Sequence, residues 1–167
     1  MANLEKFNPD FIYTSVWDIE EGFFKKNDIK YVVLDIDNTL VPYTTKKPTG
    51  SALGFLKRLE RENIKFAFLS NNNKSRVKLF NKEIGATFVS HAKKPLLFGM
   101  NKVMKKMGAD KAKTILIGDQ IFTDIYTGKR YGVKTMLVKP IEDKETPFFK
   151  VKRHYERIVM EKLKNEK

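Results

Sequence analysis

The sequence contains no cysteine, one tryptophan and two histidines among its 167 residues. The lack of cysteine excludes disulfide bonds and thiolate metal sites, and it fits a reducing compartment. No apolar run approaches the roughly 18 residues that a membrane-spanning helix needs. The first residues, MANLEKFNPDF, include no apolar stretch typical of a secretory signal. We therefore expect a cytoplasmic protein.

Acidic residues are scarce relative to basic ones. The chain has 33 lysines and arginines against 20 aspartates and glutamates, a formal net charge of +13. One interpretation is a solvated, lysine-rich surface. The other is attraction to a polyanion, which would be a phosphorylated substrate, an anionic membrane or nucleic acid. With 41% hydrophobic residues and a length typical of one domain, residues 1–167 are predicted to form a single globular domain.

Short runs of β-branched and aromatic residues alternate with helical patterns along the chain. Such alternation is typical of a parallel sheet covered by helices on both faces. The sequence therefore predicts a doubly wound α/β fold with about five strands. The predicted strands are Tyr31–Leu34, Lys65–Leu69, Thr87–Val89, Thr114–Ile117 and Lys134–Val138.

Two amphipathic segments flank this predicted core, which covers about residues 30–138. A helix over about 15–26 would place Val16, Ile19 and Phe23 on one face. A second helix over about 147–164 has an apolar stripe backed by basic residues. Packing on the sheet is one interpretation of both helices, and contact with a membrane or partner is the other. The stripe is Phe148, Val151, Tyr155, Ile158 and Val159, and the basic residues are Lys150, Lys152, Arg153, Arg157 and Lys162.

Polar side chains follow four of the five predicted strands. Because the carboxyl ends of parallel strands share one edge of the sheet, we expect these side chains to meet there. A turn or a helix cap explains any one such group, but four together indicate a functional site. They are Asp35, Asp37 and Thr39 after the first strand, Ser70 and Asn71 after the second, Lys93 and Lys94 after the third, and Asp119 and Asp124 after the fourth.

In this order, LDIDNTL, the serine after the second strand, the Lys-Pro pair and GDQIFTD resemble the four motifs of the haloacid dehalogenase (HAD) superfamily. The resemblance covers about residues 30–138. It is strongest to the subclass IIIA phosphatases of the YqeG type, which are related to the mitochondrial and plant-type phosphatidylglycerophosphate phosphatases. It implies a HAD-like fold and Mg²⁺-dependent hydrolysis of a phosphate monoester.

The resemblance also implies a role for each residue at this edge. Asp35 is the expected nucleophile, which forms an aspartyl-phosphate, and Asp37 is the expected general acid and base. An aspartate at position 37 favours hydrolysis because it supplies the group that activates water. The expected Mg²⁺ ligands are Asp35, the backbone carbonyl of Asp37 and Asp119. Asp124 is expected in this ligand shell or just beyond it. Phosphate binding is expected from Ser70, Asn71, Thr39 and Lys94, with Lys93 as the competing lysine.

The sequence has no room for a cap domain, the insertion that covers the site in many relatives. Only about a dozen residues separate Asn38 from the first core helix, so we expect an open site. An open site cannot enclose a small metabolite, which favours a large or surface-bound substrate. Together with the resemblance and the charge, this favours a lipid phosphate, phosphatidylglycerophosphate, and peripheral contact with the inner face of an anionic membrane.

Two other functions fit the same sequence. A soluble nucleotide-like or nucleic-acid-terminal phosphate would also be attracted by a basic surface. However, the sequence shows no base-stacking aromatic array and no groove-reading motif, so nucleic acid is not the favoured partner. The remaining alternative is a binding module that keeps the fold and has lost catalysis, which would not require a complete set of motif residues.

Overall fold

The computed structural model describes residues 3–142 and 146–165. Its strands are β1 (Phe11–Tyr13), β2 (Tyr31–Leu34), β3 (Lys65–Leu69), β4 (Thr87–Val89), β5 (Thr114–Gly118) and β6 (Lys134–Val138). Its helices are α1 (Phe23–Lys26), α2 (Gly50–Arg61), α3 (Lys74–Asn81), α4 (Leu97–Met107), α5 (Tyr126–Tyr131) and α6 (Pro147–Asn165). The strands form one parallel sheet in the order β1-β6-β5-β2-β3-β4.

The two faces of the sheet carry separate apolar cores. In β2, Val32 and Leu34 pack into a cluster that also contains residues of α1, α2 and α3. Val33, which points to the opposite face, packs with residues of α4. Successive side chains of a strand alternate between faces, so a strand buried on both sides reads as a continuous apolar run. The doubly wound α/β fold predicted from the sequence is confirmed, and all five predicted strands are present.

In the described residues the sheet has six strands instead of the predicted five. The additional strand is β1, which was not predicted. This strand is only three residues long and lies at the edge, where Phe11 pairs with Met136 of β6. Asp10 fixes it by accepting a hydrogen bond from the backbone N–H of Thr135 at 2.7 Å. So short a run lacks the alternation on which strand prediction depends.

The helix predicted over about 15–26 is not continuous. A single 3₁₀ turn, Val16–Asp18, is separated from α1 by Gly22, whose φ of 81° lies in the left-handed region. Val16, Ile19 and Phe23 are all buried, as the apolar spacing indicated. The predicted burial of these residues was therefore correct. However, turns and a short helix bury them, instead of one long helix.

The helix predicted over about 147–164 is α6, but three of the five residues of its predicted apolar stripe are exposed. Phe148, Val151 and Tyr155 are 73%, 56% and 57% exposed. The buried positions of α6 are Glu156 and Leu163. Ile158 and Val159, the other two residues of the stripe, are partly buried. The first part of the stripe is thus free of the sheet, and its exposure is compatible with contact with another surface.

Neither connection that could hold a cap domain contains a further folded unit. Residues 35–49 link β2 to α2, and α3 is the one helix between β3 and β4. The carboxyl edge of the sheet is therefore not covered from this side. Within residues 3–142 and 146–165, no helix combines the length and the apolarity that crossing a membrane requires.

Candidate active site

The predicted site residues meet at the carboxyl edge of the sheet. Asp35 directly follows β2, Ser70 follows β3 and Asp119 follows β5. The loop after β4 supplies Lys94, and Asp124 lies in a single turn of π-helix, Ile121–Ile125, that precedes α5. All five side chains are buried. The strand ends thus bring together residues that are up to 89 positions apart in the chain.

Asp35, Asp119 and Asp124 form an acidic cluster. One carboxylate oxygen from each lies within 4.8 Å of the others. The Thr39 hydroxyl lies 3.2 Å from Asp35 Oδ2 and 3.4 Å from Asp119 Oδ1. Thr39, predicted to bind phosphate, therefore donates to the cluster in this structure, and its predicted role in phosphate binding stays a prediction.

Lys94 neutralises part of this cluster. Its Nζ donates to Asp35 Oδ1 at 2.9 Å and to Asp124 Oδ1 at 2.6 Å. The Asn71 side chain fixes the Lys94 backbone, because it accepts from the Lys94 N–H at 2.7 Å and donates to the Lys94 carbonyl at 3.1 Å. Lys93 is exposed. Of the two candidate lysines, Lys94 is the one that contacts the cluster, and its predicted role in phosphate binding stays a prediction.

Burial and neighbouring charges shift the pKa values of the cluster. Burial raises the pKa of Asp35 well above its usual value, against the opposing effect of Lys94. Burial and then the neighbouring Asp124 raise the pKa of Asp119 to about 6. Burial alone would lower the pKa of Lys94, but the carboxylates of Asp124 and Asp35 outweigh it and raise that pKa. Such a cluster favours a bound cation.

The donor set of the acidic cluster fits Mg²⁺. All three ligands are carboxylate oxygens, the hard donors that Mg²⁺ prefers, and they converge from β2, from the end of β5 and from the π-helical turn. The Asp37 carboxylate is not part of this group. Its predicted part in metal binding runs through its backbone carbonyl and stays a prediction.

Asp37 is held apart from the cluster by two residues that the sequence analysis did not select. Arg76 Nη2 donates to Asp37 Oδ1 at 2.8 Å, and Asn72 Nδ2 donates to Asp37 Oδ2 at 3.1 Å. Arg76 is itself fixed by the backbone carbonyls of Thr45 and Lys46. A turn before a helix explains an asparagine such as Asn72, and a solvated helix surface explains an arginine such as Arg76, so their types and positions gave no signal of this contact.

Several hydrogen-bond donors near Asp35 suit a bound phosphate. The Ser70 oxygen accepts from the Asn72 N–H at 3.0 Å, which leaves the Ser70 hydroxyl proton able to donate. In the described parts of the chain, the backbone N–H groups of Ile36, Asp37 and Asn71 have no acceptor. Because the Asn71 side chain is used on Lys94, its predicted contact with phosphate rests on this N–H group.

Asp124 depends on a glycine at the end of β5. A Cβ atom at Gly118 would lie 2.2 Å from Asp124 Cγ, closer than any real contact. The Asp124 carboxylate also accepts from the Gln120 N–H at 3.1 Å. The glycine therefore lets the side chain of Asp124 lie against the strand end and reach Lys94.

Arg153 of α6 contacts the cluster from the side opposite Lys94. From the sequence it was expected only on the basic face of a helix. Its Nη2 donates to Asp119 Oδ2 at 2.5 Å and its Nη1 to the Asp119 carbonyl at 2.8 Å. Glu156 pairs with Arg153 at 2.8 Å and accepts from the Ile121 N–H at 3.0 Å. Lys152 also points inward, where it bonds to the Gln120 side chain. The spacing of Arg153 and Glu156 predicts an ion pair on one helix. It does not predict that Arg153 also contacts Asp119.

Comparison with known proteins agrees with this geometry. The profile of the mitochondrial PGP phosphatase family, where PGP is phosphatidylglycerophosphate, matches residues 1–142. The chain belongs to this family. A Bacillus subtilis protein named "Probable phosphatase YqeG" is 32% identical over 95% of this chain and 92% of its own length. The chloroplastic and mitochondrial phosphatidylglycerophosphate phosphatase 1 of Arabidopsis thaliana is 31% identical over 79% of this chain but only 39% of its own length.

Solved structures support the fold. An uncharacterized protein of Listeria monocytogenes serotype 4b matches with a TM-score of 0.57 and 16% identity, over 71% of this chain and 85% of that one. A Vibrio cholerae structure, assigned in its name to the 3-deoxy-D-manno-octulosonate 8-phosphate phosphatases, matches with a TM-score of 0.55 and 14% identity, over 80% and 76%. These likenesses confirm the fold, and the family match together with the Bacillus subtilis relative confirms the YqeG-type phosphatase family that the sequence predicted.

Proposed function

We propose that this family member is a Mg²⁺-dependent phosphatase that forms an aspartyl-phosphate at Asp35 and acts on phosphatidylglycerophosphate. The observation that supports it most is the environment of Asp35. This carboxylate lies at a strand end, beside the ammonium group of Lys94 and among backbone N–H groups that have no acceptor in the described residues. A phosphate monoester needs such a ring of positive charge and donors around the reacting phosphorus.

The reaction would proceed in two steps. One oxygen of the Asp35 carboxylate attacks phosphorus, the bond to the leaving alkoxide breaks, and Asp37 gives that alkoxide a proton. Asp37 then takes a proton from the water that hydrolyses the phosphorylated Asp35. Arg76 and Asn72 hold the Asp37 carboxylate in place for both transfers.

Asp35 and Asp119, with the Asp37 carbonyl and Asp124 nearby, would hold the ion. Mg²⁺ would supply positive charge that offsets the carboxylates and the phosphate. Lys94 and the Ser70 hydroxyl would bind phosphoryl oxygens, together with the N–H groups of the two strand ends.

The lipid substrate is supported by features outside the cluster. The family match and the Arabidopsis relative name phosphatidylglycerophosphate. The two connections that hold a cap in other HAD proteins contain none here. The exposed residues Phe148, Val151 and Tyr155 of α6 lie on a helix rich in lysine and arginine, which suits peripheral contact with an anionic membrane.

The decisive experiment is phosphate release from phosphatidylglycerophosphate in mixed micelles with Mg²⁺. We expect Asp35→Asn to abolish release, because the nucleophile is lost. Asp28→Asn is the matched control, since Asp28 is exposed and its φ of 52° suits asparagine. Hydrolysis of an aryl phosphate but not of the lipid would refute the substrate. Absence of both activities with every divalent metal would favour the silent binding module.

Membrane contact is tested separately by flotation with anionic vesicles. We expect the wild-type chain to float and the triple replacement of Phe148, Val151 and Tyr155 by serine to float much less. Leu79→Ser is the control, because Leu79 is an exposed apolar residue of α3 (37%) outside α6. Equal flotation of all three proteins would show that α6 is not the contact surface.

A further inference from the structure

A groove of about 910 Å³ runs between α6 and the edge of the sheet formed by β6 and β1. Its volume lies within the range of about 300–1,000 Å³ typical of ligand sites. Asp119 and Arg153 line it, so the groove reaches the acidic cluster. Most of its surface is apolar, and these walls are formed by Ile12, Tyr13, Leu137, Val138, Phe149 and Met160.

The unpaired charge in this groove is mainly positive. Asp119 and Glu156 are both paired with Arg153. Among the described residues, four further basic side chains of the lining have no acidic partner, against Glu161 alone on the acidic side. These basic residues are Lys139, Lys150, Arg157 and Lys164. Apolar walls beside unpaired cations fit a ligand that is both aliphatic and anionic.

The groove and the predicted phosphate site share a wall. Lys139 and Pro140 line the groove, and the residues that follow them bond to Asn38, which lies next to Asp37. The Ile141 N–H donates to the Asn38 carbonyl at 3.1 Å, and the Glu142 N–H donates to Asn38 Oδ1 at 3.1 Å. The groove therefore lies beside the predicted phosphate site.

We propose that this groove binds the internal phosphodiester and the adjoining acyl segments of a glycerophospholipid whose terminal phosphate lies at Asp35. The inference rests on the proposed function and extends it, because it places the determinant of lipid specificity outside the catalytic cluster. Lys150 and Arg157, two turns apart on α6, pair with the diester, and the apolar walls accommodate the first part of the chains. The groove favours an amphiphile over a nucleotide because aliphatic side chains outnumber aromatic ones in its apolar walls.

The first test measures binding without metal and without turnover. Short-chain phosphatidylglycerol, kept below its micellar concentration, has the diester and acyl chains but no terminal phosphate. By titration calorimetry we expect saturable binding, weakened at least about tenfold in the double variant Lys150→Gln, Arg157→Gln, since each replacement removes a charge-assisted contact. The control is Lys102→Gln, Lys105→Gln, which removes the same charge from the exposed side of α4. If wild type does not bind phosphatidylglycerol, or if both double variants lose affinity equally, the proposal that the groove binds this lipid is overturned.

The second test separates the groove from the proposed function. The ratio of kcat/KM for phosphatidylglycerophosphate to kcat/KM for an aryl phosphate should fall about tenfold in the groove variant and stay constant in the α4 control. If the ratio is unchanged in the groove variant and lipid hydrolysis is intact, the groove is not the lipid-binding site, but the proposed phosphatase activity stands. If wild type hydrolyses only the aryl phosphate, the lipid substrate fails. If a nucleoside monophosphate competes for the groove as well as phosphatidylglycerol does, the ligand class is wrong.

Discussion

Two cations contact the acidic cluster, one from each side, and they are held differently. Lys94 comes from the β4 side, and its side chain is 3% exposed and bonded to both Asp35 and Asp124. Arg153 comes from α6, and its side chain is 20% exposed and bonded to Asp119. The first cation belongs to the packed interior of the domain. The second belongs to α6, which follows the last strand in the chain and contacts the site from its side.

This difference separates a fixed half of the site from an adjustable half. A buried cation between two carboxylates cannot leave without exposing both to an apolar environment, so Lys94 is part of the fold. A partly exposed guanidinium is screened by water and costs less to move. The side nearest β2, β3 and β4 is therefore suited to hold the transferred phosphate. The side nearest α6 is suited to admit a metal ion and a large substrate.

Replacing the interior cation should have the largest effect. Lys94→Met leaves Asp35 and Asp124 without their ammonium partner, and breaking a buried pair typically costs about 3–5 kcal/mol. We expect that loss in the free energy of unfolding, measured in urea without Mg²⁺. With Mg²⁺ we expect a drop in kcat of about 10²–10³-fold, because a charge next to the phosphoryl group is gone.

Lys93→Met is the matched control for this prediction. Lys93 is the adjacent lysine, it is exposed, and the replacement removes the same charge. We expect little change in stability or turnover. If Lys93→Met proves the more damaging change, the fixed half of the site has been assigned to the wrong lysine.

Gly118→Ala should disturb the same half by steric means. The new Cβ would displace the Asp124 side chain, and with it the contact to Lys94. Overpacking of this kind costs about 3 kcal/mol, and we expect a matching loss of stability together with weaker Mg²⁺ binding. Gly54→Ala is the control, because Gly54 lies in α2 with open space around it. There, alanine should stabilise by about 0.5–1 kcal/mol.

The residues of the fixed half could be predicted from the sequence. Asp35 follows an apolar run long enough for a buried strand, and Ser70 follows another, so the topology of parallel strands alone placed them at one edge. The resemblance then distinguished Lys94 from Lys93. Both inferences use contiguous segments, in which the strand and its functional residue are neighbours in the chain.

The contacts of the adjustable half could not be predicted from the sequence. Arg153 is one basic residue among many on α6, and its contact with Asp119 depends on which face of α6 is turned to the sheet. Apolar periodicity predicted the face of Phe148 and Tyr155, yet these residues are exposed. Buried polar contacts, from Arg153 and Glu156, orient the helix instead. A pattern of hydrophobicity cannot report an orientation that charge pairs determine.

The adjustable half should also make metal-free stability depend on pH. The pKa of Asp119 is raised to about 6, from about 3.9 in an unfolded chain. The folded state therefore holds this proton more tightly. Its contribution is fully present below about pH 4 and is lost as the pH rises through about 6. Relative to Asp119→Asn, wild type should lose about 2–3 kcal/mol of unfolding free energy between pH 4 and pH 7. Urea titrations in a chelator measure this, and parallel pH curves for the two proteins would contradict it.

Removing the outer cation should have the smallest effect, and in the opposite direction for metal binding. In the metal-free protein Arg153 occupies the Asp119 carboxylate that a metal ion would share. We therefore expect Arg153→Gln to tighten Mg²⁺ binding about tenfold by calorimetry, or about 1.4 kcal/mol, while kcat falls by less than tenfold. Arg157→Gln removes the same charge one turn further along α6 and should leave the affinity nearly unchanged. If the two variants tighten binding equally, distant charge rather than the contact sets the affinity. If Arg153→Gln weakens binding, Arg153 supports the metal ligands and the division into a fixed and an adjustable half does not hold.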